Sequence, residues 1–441
     1  MHTTNLDLSL TEITKIEGTA TLDLKIREGT VTECNFGITE MKRFFTTAIS
    51  GKPILAVPQL VARICGTCSN AHLLCSIKSI ENGLGLIPSP QTMLLRKLLN
   101  FGLIIRDHGL HLYVFVLPDL FNRDSILAFD ENNPVEHELL HDCFNVKEVG
   151  NKLGIITGGR SVHAPFATLG GFIKIPTKEE LQALIPELKT IRPRVLHLID
   201  VFWKCQFKQD INVKFLALTD KNYSFLDGVV KTSDGEIVSQ EQFGERLKRR
   251  IIPYSQATGY FFGEALHMVG ALARINLNQE SLHPKTKQAA EKALAVFPSQ
   301  NIYHNNLAQA IEMLHAVDSS IDLINEYQAE PEKPQALRHP GGGQNGLPRG
   351  GENTTGIGLI EAPRGTLFHK MEITSDGKIK QGKIIVPTGQ NQIGIEHAIR
   401  EYVTNNIDQP KEILSHEIEK LIRAYDPCMS CATHFLKVRW K

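Results

Sequence analysis

Two short cysteine motifs near opposite ends of the chain constrain it more than any other feature. Cys65-Gly-Thr-Cys68 follows Arg63-Ile64, and Cys428-Met-Ser-Cys431 follows Asp426-Pro427 and precedes Ala432-Thr-His434. Two residues between cysteines let both sulfurs of a pair converge on one ion. If the pairs serve one site, the two ends of a 441-residue chain must meet within a common core. The remaining cysteines, Cys34, Cys75, Cys143 and Cys205, stand singly, and an isolated cysteine packs by default as a small hydrophobe.

Three chemistries compete for the pairs. Eight cysteines are too sparse for a disulfide scaffold in a chain this long. A structural zinc site closes over about 15–20 residues between its pairs, far fewer than separate Cys68 from Cys428. A dithiol redox motif needs a CxxC at a helix start beside a βαβ pattern, and no such alternation follows Cys68. A transition metal that tolerates four soft thiolates and keeps positions open for chemistry selects iron or nickel. Spacing alone leaves that reading level with zinc.

Composition removes other function classes. Lys+Arg and Asp+Glu each total 48, so the zero formal charge gives a polyanion nothing to hold and nucleic-acid binding loses its electrostatic support. The most apolar region, Leu94 to Phe121, is interrupted by Arg96, Lys97, Arg106, Asp107, His108 and His111, which excludes a direct membrane span. The first residues have neither a basic start nor an apolar run. A cytoplasmic location is expected, unless a partner carries an export signal.

Hydrophobic periodicity predicts three short strands between Leu6 and Gly37, and helix over Val57 to Leu84 broken around the first cysteine pair. A helix apolar on nearly all faces follows Pro90 and runs to about Leu117, marking the centre of a bundle. Segment 120–175 reads as irregular. Helical patterns return at Lys178–Lys204, Gly259–Ile275, His283–Phe297 and Asn301–Tyr327, with loops or short strands over 210–245. A Gly/Pro-rich stretch lies between Glu330 and Gly358, a hairpin turns at Ser375-Asp376-Gly377, and two helices lead to the last cysteines.

The surroundings of the cysteines break the tie. Both pairs resemble the signatures of the large, catalytic subunit of nickel-iron hydrogenases, R-x-C-G-x-C near the start and D-P-C-x-x-C-x-x-H at the end. Lys15-Ile-Glu17-Gly is similar to that family's R-I-E-G. Further similar blocks are Arg106-Asp-His-Gly-Leu-His111 through Asp119, Gly158-Gly-Arg160-Ser-Val-His163, Val269-Gly-Ala-Leu-Ala-Arg274, Glu361-Ala-Pro-Arg364 through His369, and Val386-Pro-Thr388-Gly-Gln390-Asn391. The ordered set covers most of the chain. A non-catalytic relative, such as the quinone-site subunit of respiratory complex I, would lack the cysteines.

The resemblance implies an α+β, mainly α-helical fold: a central long-helix bundle with small peripheral β elements. It implies one intertwined domain over 1–441, with a β-rich segment at 1–50, a helical bundle at 51–330, and a Gly-rich loop, hairpin and metal-binding segment at 331–441. The implied activity is reversible heterolytic cleavage of H2 to protons and electrons. Cys65 and Cys428 would be terminal nickel ligands, while Cys68 and Cys431 would bridge to an iron carrying carbonyl and cyanide. Cys428 would accept the first proton, Glu17 would relay it, and Arg364 would overhang the open position. Pro363 and Thr388 match positions that contact cyanide by backbone amide or hydroxyl. His72 would orient a sulfur, and His108 and His111 would belong to a surrounding polar network.

His434 and the carbonyl of Ile384 would hold magnesium or a second iron. The family's glutamate arm of that site is Thr46 here, with Glu40 as a substitute. Only Phe435 to Lys441 follow His434, where many relatives carry a longer extension removed by a protease. With no cysteines left for an electron relay, an iron-sulfur small subunit is required. The resemblance points further to flavin/iron-sulfur diaphorase-type subunits and to the cytoplasmic NAD(P)- or ferredoxin-linked subgroup.

Overall fold

The structure is a computed structural model that describes residues 5–331, 334 and 353–433. His434, the tail after it, and most of the Gly/Pro-rich stretch lie outside the described residues. An antiparallel sheet opens the chain, β1 (Leu6–Leu10), β2 (Ala20–Arg27) and β3 (Thr30–Ile38), in the order β1-β2-β3. Along β2 the inward face is Ala20, Leu22, Leu24 and Ile26, all buried, with more exposed residues between them. This is the period of two that a sheet with one covered face requires.

The break around the first cysteine pair is real. A short helix over Val57–Val61 tightens to a 3-10 turn at Ala62–Ile64, and α1 (Ser69–Leu84) begins after Cys68. The buried helix α2 (Pro90–Gly109) starts where the Ser89 side chain accepts from Thr92 N at 3.0 Å and Pro90 presets the first turn. It passes into a π-helical turn at Leu110–Val116 and ends in the short helix Leu117–Leu120. The extra residue per turn widens the helix at His111.

Segment 120–175 is not irregular throughout, because α3 (Pro134–Gly158) occupies much of it. Asn133 caps its start, accepting from Val135 N at 3.0 Å, and Gly159 closes its end at φ +85°. Helix α4 (Ile185–Trp203) follows, and the next strand, Lys214–Thr219, lies in a four-stranded sheet. Gly259–Ile275, expected as helix, begins instead as strand Thr258–Phe262 and becomes helical only at α5 (Ala271–Asn278). Gly263 and Gly270 sit between them at φ +61° and +136°, conformations that no helix interior contains. His283–Phe297 forms two short helices, Pro284–Ala289 and Glu291–Leu294, rather than one. Asn301–Tyr327 holds α6 (His304–Glu326), which is buried along most of its length.

The predicted hairpin gains a third strand from the end of the Gly-rich stretch: β4 (Thr354–Ala362), β5 (Gly365–Ile373) and β6 (Ile379–Ile385), antiparallel in that order. A Cβ on Gly356 would stand 1.8 Å from Ser79 O, and one on Gly358 would stand 2.4 Å from Cys75 O. These glycines let β4 lie directly on α1. Helices α7 (Pro387–Asn405) and α8 (Lys411–Ala424) complete the chain up to the second cysteine pair. One apolar core cluster contains residues from Leu8 on β1 to Ala432 beyond Cys431, so the two chain ends share an interior. The α+β, mainly helical expectation with small sheets holds.

Candidate metal centre at the junction of the chain ends

Cys65 follows the 3-10 turn in extended conformation, and Cys68 sits at the N-cap of α1. Cys428 is extended and begins the single turn Met429–Ala432 that carries Cys431. The backbones of Glu17 and Cys428 form an isolated parallel bridge, with Met429 N donating to Glu17 O at 2.9 Å. That bridge fastens the N-terminal segment to the C-terminal motif.

The four sulfurs converge. Cys65 Sγ lies 3.3 Å from Cys428 Sγ, Cys68 Sγ lies 3.1 Å from Cys431 Sγ, and Cys428 Sγ lies 3.1 Å from Cys431 Sγ. All four lie within 4.8 Å of one another, all are buried, and none is in a disulfide. Two sulfurs at about 2.3 Å from one ion stand about 3.3 Å apart at a right angle and about 3.8 Å apart at the tetrahedral angle. The cluster therefore has the span of a tetrathiolate metal site. Burial pushes the Cys428 and Cys431 thiols well up, whereas S–H donation from Cys428 holds Cys65 well below the usual thiol range. Four sulfurs in a dry pocket resist carrying four negative charges, and a cation is what lets them ionise together. The donor set fits a thiophilic transition metal.

Glu17 is half-buried, and its Oε2 accepts from Cys428 Sγ at 3.0 Å and from Ser430 N at 3.1 Å. Thr388, on the first turn of α7, accepts from Cys428 N at 2.9 Å through Oγ1. Its own hydroxyl hydrogen is left to donate elsewhere. Replacing it by valine strands a buried amide. Thr388→Val is expected to cost about 1–3 kcal/mol, read as a lower denaturation midpoint of the purified protein.

Arg364 is buried beside the sulfurs. It donates to Asp107 Oδ2 at 2.7 Å and to Thr67 Oγ1 at 3.4 Å, and pairs with Asp426 Oδ1 at 2.9 Å. Burial opposes its charge, but Asp107 and Asp426 more than offset this and keep it protonated. His72 Nε2 stands 3.6 Å from Cys431 Sγ, while its Nδ1 meets His369 Nε2 at 3.3 Å. His111 contacts Gln309 Oε1 at 2.6 Å and Arg423 O at 2.8 Å, and Gln309 in turn donates to Asp426 at 2.8 Å. His108 belongs to another buried network: Glu312 accepts from it at 2.9 Å and from Arg274 at 2.6 Å.

One expectation needs revision. Pro363 has no backbone N–H to donate, and its carbonyl accepts from Arg274 Nη2 at 2.9 Å. Glu40 Oε2 is engaged by Thr19 N at 3.2 Å, and Thr46 lies in the short helix Phe45–Ala48. Ile384 is buried on β6 opposite His369, and His434 lies outside the described residues. Sequence reasoning assigned nothing to Asp107, Asp426, His369 or Thr67. Each sits inside or beside a block whose neighbours were singled out, and for Asp426 the signal available was an acidic residue adjoining a cysteine motif.

A fold that joins its chain ends around four buried thiols presents the donor set of a thiolate metal site. Comparison with known proteins makes the class specific. Residues 43–151 and 231–434 match the family described as nickel-dependent hydrogenase. The chain is 30% identical over 438 residues to sulfhydrogenase 1 subunit alpha of Pyrococcus furiosus, covering 98% of this chain and 99% of that one. Sulfhydrogenase 2 subunit alpha of the same organism is 30% identical over 437 residues. A crystal structure of an NAD+-reducing nickel-iron hydrogenase in the H2-reduced state superposes with a TM-score of 0.80 at 25% identity, covering 97% of this chain and 99% of that one. The nickel-iron-selenium hydrogenase of D. vulgaris Hildenborough shares the fold, at TM-score 0.77 and 18% identity. This chain belongs to the nickel-dependent hydrogenase family as its large, catalytic subunit. No described helix is long and apolar enough to cross a membrane.

Proposed function

We propose that the four thiolates hold a nickel-iron pair, with Cys65 and Cys428 terminal on nickel and Cys68 and Cys431 bridging to an iron carrying carbonyl and cyanide. The observation that carries this reading is the convergence of the four sulfurs from opposite chain ends, with Glu17 and Arg364 against them. Such a centre supplies the Lewis acidity and redox capacity by which H2 parts into two protons and two electrons.

The chain's own residues handle the proton and the pocket. Cys428 Sγ accepts a proton and passes it across 3.0 Å to Glu17 Oε2, within reach for general acid–base transfer. Arg364, fixed by two carboxylates, presents positive charge to the pocket, and its backbone N–H and the Thr388 hydroxyl are the donors suited to cyanide. His72 orients Cys431. His434 and the Ile384 carbonyl are the proposed ligands of a magnesium or second iron. Residues 1–441 act as one domain, since both ends build one site.

Among the described residues no second cysteine cluster exists to conduct electrons. The large subunits of hydrogenases pair with small subunits, and here the partner is proposed to carry iron-sulfur clusters. Likeness to an NAD+-reducing enzyme supports diaphorase-type subunits and a cytoplasmic site, where pyridine nucleotides are found. Metal analysis of the purified complex is expected to give nickel in this subunit with iron beside it, and infrared bands of iron-bound carbonyl and cyanide. Zinc alone, with no such bands, would overturn the assignment.

A further inference from the structure

A second constellation of ligating atoms lies away from the cysteines, between α3 and α4. Glu138 and Asp142, one turn apart on α3, face His197 on α4, and one ligand atom from each lies within 4.8 Å of the others. Asp142 is fully buried. Its Oδ1 is taken by the Arg194 guanidinium, one turn before His197, but its Oδ2 has no hydrogen-bond partner, and neither does His197 Nδ1. These two atoms stand 3.8 Å apart, and His197 Nδ1 is 3.9 Å from Glu138 Oε1; a protonated His197 pairs with both carboxylates at this range, but no hydrogen bond closes.

The spacing is informative. A hydrogen bond would draw such atoms to about 2.7–3.2 Å, whereas ligands at 2.0–2.2 Å from one ion stand about 3.0–3.6 Å apart. His197 Nδ1 thus stands from both carboxylates a few tenths of an ångström beyond the width of an ion, instead of closing on either. A buried carboxylate oxygen without a donor is costly and calls for a partner.

We propose that Glu138, Asp142 and His197 form a divalent transition-metal site of the zinc class. One imidazole nitrogen and two carboxylate oxygens suit zinc, cobalt or manganese, and are too few oxygens for calcium. Arg194 fixes the Asp142 carboxylate from behind, as groups beyond the ligands do in metal sites. Glu138 is 61% exposed in its side chain, which gives the ion an entry path and leaves a position for water. The bound ion cross-links two helices and stabilises the native state by mass action.

The test uses the purified complex with its nickel in place, stripped of loosely held metal and titrated with cobalt(II) alone. One added equivalent is expected, visible in the optical spectrum and accompanied by a higher Tm. His197→Ala and Glu138→Gln should each weaken that binding about tenfold or more, with nickel content and H2 oxidation unchanged. Exposed His137 and His141, one turn apart on α3 with ring centroids 4.4 Å apart, are the rival chelator. Absence of the equivalent, its persistence in His197→Ala, or its loss in His141→Ala alone would each overturn the proposal.

Discussion

Cys431→Ala is expected to abolish H2-dependent dye reduction and to leave the purified subunit without stoichiometric nickel. Cys431 Sγ sits 3.1 Å from both Cys68 Sγ and Cys428 Sγ, so its removal opens the centre of the cluster rather than its rim. If Cys431 bridges the two metals as proposed, its loss would disconnect them and leave three buried thiols whose ionisation nothing offsets. The apo state also loses what the cluster contributes to folding, because Cys428 and Cys431 lie within the same apolar core as β1. Cys143→Ala is the control. That cysteine is buried on α3 with its thiol pushed up to about 11 by burial, and its truncation should leave nickel content intact. Activity retained in Cys431→Ala would refute the ligand assignment.

The contrast between these cysteines shows how much a sequence exposes. Ligation needs a fixed local spacing, so Cys65–Cys68 and Cys428–Cys431 were readable, and the solitary Cys75 was correctly set aside: its thiol bonds Gly358 O and Leu367 O where β4 and β5 cross α1. Long, strongly periodic elements such as α2 and α6 were equally visible. What escaped depends on neighbours distant in sequence. Helix α3 hid because its polar face, with His137, His141 and Glu148, lowers the apolar signal, although Asn133-Pro134 and Gly158-Gly159 mark both its ends. The strand at Thr258–Phe262 hid because its apolar run has no decisive period, and only its antiparallel partner Leu247–Ile251 settles its conformation. Asp107 and Asp426 acquire meaning only when Arg364, far from Asp107 along the chain, reaches both.

That ion triad bears on how the site works. Arg364 brings one positive charge to a buried pocket and two carboxylates answer it, which holds the guanidinium at one orientation beside Thr67. Asp426, at φ +50°, adopts a left-handed conformation unusual for a residue other than glycine, and Gln309 and Arg364 hold it there two residues before Cys428. The strain of the second cysteine motif is thus balanced by the groups that position Arg364, which couples the cysteine geometry to the charge above it.

Glu17→Gln is the second large effect expected, a loss of about 10²–10⁴ in H2 oxidation with the metals retained. The carboxylate is the half-buried acceptor within hydrogen-bond distance of Cys428 Sγ, at 3.0 Å, so a proton arriving on that sulfur has an adjacent site to occupy. Glutamine preserves the length of the side chain and an oxygen to accept from Ser430 N, and the Glu17 carbonyl that receives Met429 N belongs to the backbone. The bridge between the chain ends survives, and what disappears is the capacity to take up and release a proton. Nickel content and the carbonyl and cyanide bands should match the unsubstituted protein, which separates a relay from a structural support. Glu17→Asp should recover part of the rate, since the shorter carboxylate can still exchange protons through a water. A Glu17→Gln enzyme that turns over at the original rate would show that the proton leaves Cys428 by another path, with Arg364 and its partner Asp426, the latter two residues before Cys428, the groups to search next.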